Sequence, residues 1–144
     1  MKDSLVLAIP HISKMHLNIG NQKLKTRAAV KRGPASSFYG VSLPVLIMLV
    51  AGGVLDDAEA FSAIAEFCAD QSGPEWMKAK ISMPKNVSGH GFLYIPDTDR
   101  FQRFECEHIE IVLYRKPSTC AELSDPLWMT SGYCVYAKTF YPVP

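Results

Sequence analysis

The sequence predicts an α+β fold: a single domain, residues 1–144, in which an antiparallel sheet packs against two or three helices. Three observations carry this. Two neighbouring stretches, 42–53 and 56–70, have helical start signals and apolar content. The segments on either side alternate apolar and polar residues with a period of two. The order is strands, two helices, then strands, without the strand–helix–strand alternation that builds parallel sheets. A chain of 144 residues with 48% hydrophobic content is the size of one domain with a real core.

Taken in order, "SLVLAI" (4–9) reads as a short strand stopped by Pro10. "MHLNI" (15–19) alternates Met15, Leu17 and Ile19 with His16 and Asn18, the pattern of a half-buried strand. The segment 22–37, "QKLKTRAAVKRGPASS", is basic and ends in Gly, Pro and Ser. It reads as an exposed loop with at most a weak helical turn. "SLPVLIMLVAGG" (42–53) offers Ser42 as N-cap, Pro44 in the first turn and two glycines at the end. It is apolar all round, so deep burial is expected. The longer apolar run 43–55 is short of the ~20 residues a membrane-spanning helix needs.

"DDAEAFSAIAEFCAD" (56–70) begins with acids at the positive end of the helix dipole. Phe61, Ile64, Ala65 and Cys68 fall on one helical face. After the turn "QSGPEW", strands are expected at 79–83, 92–95, 108–115 and 133–141, with a loop at 86–91. In 108–115, Ile109, Ile111 and Leu113 share one face.

Charge is unevenly spread. Residues 1–40 carry seven Lys/Arg and one Asp, a net +6. Residues 41–76 carry six acids and no Lys or Arg, a net −6. Such asymmetry suits a polyanion-binding face or head-to-tail contact between copies. Lys14, Lys23, Lys25, Arg27, Lys31 and Arg32 are the candidate polyanion-binding residues. The four Cys form no C-x-x-C pair, which fits a reduced, intracellular protein.

No phosphate-binding glycine motif is present. "GHG" (89–91) reads as a loop histidine. "CEHIE" puts Cys106, His108 and Glu110 on one strand face, where a nucleophile–base pair or two metal ligands are conceivable. A polar strand face explains them better. Asp56/Asp57 and Asp97/Asp99 read as cap and turn residues. The expectation is therefore a binding or assembly protein with no catalytic residues, no metal and no cofactor.

"ADQSGPEW" (69–76) resembles the A-D-Q-x-x-P-E-aromatic segment of vesiculovirus-type rhabdovirus matrix proteins. The order of "ISMP", "FLYIP", "DTDRFQRF" and "HIEIVLYRKP" is similar as well, over about residues 69–117. The longer basic tail and Pro-Pro-x-Tyr motif of that family have no counterpart in this sequence. The resemblance implies a structural protein that self-associates head to tail and bridges nucleocapsid protein and RNA to an anionic membrane. It implies virion assembly and budding, contact with host factors, and a location in the virion, the host cytoplasm and the inner face of the host membrane. Lys14, Lys23, Lys25, Arg27, Lys31 and Arg32 are then the candidate lipid- or nucleocapsid-binding residues. Glu75, Trp76 and Met77 are then the candidate self-association residues, Trp being enriched at interface hot spots.

Three other readings stay open. One is a small nucleic-acid-binding regulator using the basic segment, with Phe38 and Tyr39 as stacking aromatics. Another is a phage- or mobile-element-encoded inhibitor of a host protein. The third is an enzyme built on Cys106 and His108.

Overall fold

The computed structural model describes residues 9–70, 72–117, 129–130 and 133–144. Within these residues four helices and seven strands follow one another: α1 (Ile9–Met15), α2 (Asn21–Lys31), β1 (Ala35–Tyr39), α3 (Leu43–Asp56) and α4 (Ala58–Ala69). Then come β2 (Trp76–Ser82), β3 (Ser88–Ile95), β4 (Arg100–Glu105), β5 (His108–Pro117), β6 (Met129–Thr130) and β7 (Tyr133–Val143). The α+β class with antiparallel pairing is as the sequence predicts. The strands form two sheets rather than one, ordered β1-β3-β4 and β2-β5-β7-β6.

Burial drives the larger sheet. Ile109, Ile111 and Leu113 of β5 are fully buried, as their alternation predicts. They pack with Ile81 of β2 and with Val135, Ala137 and Phe140 of β7 against Leu46, Val50 and Val54 of α3 and Ile64 and Phe67 of α4. A second, small core joins α2 to the other sheet through Ile19, Leu24, Ala28, Ala35 and Phe92. Gly91 of β3 is crowded within its own sheet, by the Ala35 carbonyl of β1 and the Phe104 ring of β4. The sheets meet where Gly89 of β3 passes β7, so close that a Cβ there would lie 2.8 Å from Pro142. Across this junction the Ser36 hydroxyl donates to the Pro142 carbonyl at 2.7 Å.

Several local expectations are corrected. The stretch expected as a strand at 4–9 lies outside the described residues except for Ile9, which begins α1. Of residues 15–19, Met15 ends α1 and the rest make a single bridge, Leu17 to Phe38, so no strand forms. The basic segment 22–37 is ordered structure, not a loop. Leu24 and Ala28, four apart, bury one side of α2, and 35–39 is a strand. The loop expected at 86–91 is mostly strand: His90 of β3 stacks on Tyr39 at 4.3 Å. Helix α3 is not buried all round, since Val45, Met48 and Leu55 are exposed. In α4 the buried face is Ala60, Ile64, Phe67 and Cys68, while Phe61 is exposed. Asp57 caps α4 by accepting from the Ala60 amide at 3.0 Å, as its position suggested.

Helix α2 ends in strain. Arg32 closes it in the left-handed region, φ 51° and ψ 44°. That conformation costs a residue with a Cβ about 1–2 kcal/mol and suits glycine at a helix end. Arg32→Gly is expected to stabilise the protein by about 0.5–1 kcal/mol after glycine's larger entropy loss is subtracted. Thermal unfolding of the two proteins checks it.

Candidate functional site

A cleft of about 300 Å³ opens between α1, the end of α2, β1 and the last strand, β7. His11, His16, Lys31, Ser36, Thr139 and Tyr141 line it, with Phe104 and Pro142. Helix α1 is held there by Arg27, whose guanidinium donates to the carbonyls of Met15 (2.9 Å) and Lys14 (3.3 Å). Those carbonyls are the free acceptors at a helix C-terminus, so Arg27 caps α1 from the neighbouring helix.

His16 is the best-positioned titratable group. Its Nδ1 lies 3.2 Å from the Ser36 carbonyl oxygen, which can only accept. The neutral ring therefore carries its proton on Nδ1, and Nε2 keeps a lone pair. Burial, opposed by the Ser36 hydrogen bond and helped by the nearby His11, Lys31 and Arg27 charges, lowers its pKa from 6.5 to about 4. His16 is thus neutral at physiological pH and able to accept a proton. The His11 ring lies 5.1 Å from it and that of Tyr141 5.6 Å. Partial burial and then the Lys138 and Arg27 charges also lower the pKa of His11.

On the opposite wall the Tyr141 hydroxyl donates to Glu110 Oε1 at 2.9 Å. Burial and that carboxylate raise the phenol pKa, so it keeps its proton. Burial pushes Glu110 up, but the hydrogen bonds from Lys78 and Tyr141 outweigh it and hold the carboxyl below its usual range. The Lys78 ammonium sits 3.0 Å from the same oxygen. Among the described residues Thr139 Oγ1, buried beside the cleft, has no hydrogen-bond partner.

Among the described residues the cysteines offer no alternative chemistry. Cys68 and Cys106 are buried, and burial pushes their thiols up to about 11 and about 12. His108 bonds instead to the Pro144 carbonyl, through Nδ1 at 3.3 Å. Among the described residues no three His, Cys, Asp or Glu side chains gather as metal ligands. No described helix is long and apolar enough to cross a membrane.

The candidate basic residues each have a local place in the structure. Lys31 lines the cleft and Arg27 anchors α1. Lys25 lies 5.0 Å over the Phe92 ring. Arg32 caps α2, and Lys14 and Lys23 are exposed. Neither proposed stacking aromatic is free: Phe38 is fully buried, and Tyr39 is stacked on His90 with its hydroxyl donating to the Ile19 carbonyl. Of the self-association candidates, Trp76 is 49% exposed, Met77 leans on the core, and the Glu75 carbonyl accepts from the Arg115 amide at 2.8 Å. Sequence reasoning missed His11, His16, Thr139 and Tyr141. The available signal was two histidines five apart within a basic segment.

No protein-family model matches the chain, and no curated protein matches it in sequence. One chain of a crystal structure of a CdiA-CT/CdiI complex from Y. kristensenii 33638 has the same fold. The TM-score is 0.54 at 15% identity, covering 92% of this chain and 97% of that one. The likeness is one of fold.

It overturns the resemblance to rhabdovirus matrix proteins, and with it the reading of a viral matrix protein of the virion that condenses nucleocapsid and drives budding. Nucleocapsid and membrane partners have no other support. The motif that carried the resemblance has a local task. Asp70 accepts from the Ser72 amide and hydroxyl (3.1 and 2.9 Å), and Arg115 binds the end of α4 beside it. Any helix-to-strand turn of this shape favours Asp, Ser, Gly and Pro there.

Proposed function

We propose that this chain is the RNA-cleaving member of a toxin–immunity-type protein pair. The observation that carries the reading is the His16 cleft: a neutral imidazole with a free Nε2, two nearby cations and a protonated phenol. Among the described residues both thiols are buried and protonated, and the Ser36 and Ser37 hydroxyls donate to backbone carbonyls. What the cleft does offer is a base, and RNA carries the nucleophile for it to activate, a 2′-hydroxyl beside each phosphodiester.

In this mechanism His16 Nε2 removes the 2′-hydroxyl proton and O2′ attacks phosphorus. The P–O5′ bond breaks, and the departing 5′-oxygen takes a proton from His11 or Tyr141. A 2′,3′-cyclic phosphate and a 5′-hydroxyl remain. Lys31 and Arg27 supply the positive charge that favours the extra negative charge on phosphate in the transition state. Purified protein with labelled single-stranded RNA and EDTA is expected to yield cyclic-phosphate ends and to leave the matching DNA intact. Equal action on DNA, or intact RNA at all protein concentrations, would sink the reading.

A second reading has its own observation. Val45, Met48, Leu55 and Phe61 are exposed on the acidic helix pair α3–α4, a surface suited to a protein partner. On that reading the chain is the inhibitor of the pair: it is inert toward RNA and forms a stoichiometric complex that silences another protein.

A further inference from the structure

The face of the larger sheet turned away from its core leads directly out of the His16 cleft. A β-bulge decides what stands on it. The β5–β7 register pairs Val112 with Thr139 and Leu113 with Ala137, so Lys138 is an extra residue. The bulge reverses the alternation of β7. Ala137 and Phe140 both face the core, while Tyr136 and Tyr141, five apart, share the open face.

Across the three strands the register then builds rows. Trp76, Tyr114 and Tyr136 lie opposite one another, and Lys80, Glu110 and Tyr141 do the same one end along. The Tyr114 and Tyr136 rings stand 6.3 Å apart. Lys138 sits 4.6 Å over Tyr114, and Lys78 sits 5.9 Å over Trp76. The one carboxylate in these rows, Glu110, is neutralised by Lys78 at 3.0 Å. Lys80 and Lys138 are exposed and, among the described residues, carry no ion pair. At about 3.3 Å per residue the aromatic row stands about 13 Å from the Tyr141 row.

We propose that this face is a track for single-stranded RNA. Its bases stack on Trp76, Tyr114 and Tyr136, and its phosphates run along Lys78, Lys80 and Lys138 toward the cleft. Alternating rings and ammoniums, here three Lys against one Glu, are the chemistry of sequence-tolerant strand binding. Continuity with the cleft favours a nucleic-acid strand over a protein on this face. The inference deepens the RNA-cleaving reading and rests on it for its ligand. It gives Trp76 a different occupant from a second copy of the chain.

The test uses the full chain and fluorescence anisotropy with labelled 2′-deoxy oligonucleotides, which lack the nucleophile. An octamer is expected to bind at least about 10-fold tighter than a dinucleotide. Trp76→Ala is expected to weaken the octamer about 5- to 100-fold, the effect of losing one stacked base. Lys80→Gln is expected to reduce the salt slope of log K by about 0.7. Equal affinity for octamer and dinucleotide overturns the track, and so does an unchanged octamer affinity in Trp76→Ala. Cleavage of an RNA dinucleotide by the wild-type chain reports on the cleft alone. Cleavage without length-dependent binding removes the track and keeps the cleft. Length-dependent, Trp76-dependent binding without cleavage keeps the track and removes the nuclease reading.

Discussion

Replacing His16 by Ala is expected to lower the rate of RNA cleavage by about 10²–10⁴-fold, the usual contribution of a positioned general base. His16→Asn separates chemistry from structure. Its amide can still donate to the Ser36 carbonyl, as Nδ1 does at 3.2 Å, yet it has no basic nitrogen. Both variants should lose cleavage, and only His16→Ala should lose stability as well. A cleaving His16→Asn protein would move the base elsewhere in the cleft.

The same residue gives a dependence on pH. The folded pKa, about 4, lies below the ordinary 6.5, so between those values the unfolded chain binds more protons. Stability from keeping His16 neutral is complete above about 6.5 and is lost as pH falls toward 4. The ceiling of this effect is on the order of 3 kcal/mol. Thermal melts from pH 7 to 4 should show that fall, flattened in His16→Asn. A bound phosphodiester offsets the Lys31 and Arg27 charges, so substrate should raise the pKa of His16 and improve it as a base.

Arg115→Ala is expected to destabilise the protein by about 2–4 kcal/mol. Arg115 is 7% exposed. Its guanidinium donates to the Phe67 carbonyl at 2.7 Å and to the Asp70 carbonyl, and it covers the Phe67 ring at 4.4 Å. One residue of β5 thus caps the last turn of α4 and ties the helix layer to the sheet. Truncation leaves two carbonyls unpaired and opens space over Phe67. For a chain of this size the melting point should fall by roughly 6–15 °C. Arg115→Lys should recover only part, because an ammonium cannot reproduce the forked donor. Arg103 pairs with Glu105 at 2.9 Å on the surface, and Arg103→Ala should change stability by less than about 0.5 kcal/mol.

How far the sequence could be read follows the range of the interactions. Strand β5 and helix α4 announced themselves because alternation and caps are local. Helix α2 did not, since it buries only Leu24 and Ala28 and its many lysines look like a solvated loop. The exposed side of α3 was hidden for the opposite reason: its apolar residues look like core whether or not anything covers them. The cleft was out of reach. His16 and Tyr141 come from opposite ends of the sequence, and only the bulge at Lys138 puts Tyr136 and Tyr141 on one face, where strict alternation would have separated them. In the turn at 69–76 a local solution was mistaken for a family signature.

The Ser36–Pro142 hydrogen bond joins residues 106 apart, and the cleft it closes has one wall from α1, α2 and β1 and the other from β7. Closing so long a loop is entropically costly and slow, and it gains nothing until β7 is in place. During synthesis the His16 wall emerges first and waits for its partner until β7, more than a hundred residues further on, has been made. On the proposed reading, cleavage begins only when β7 docks.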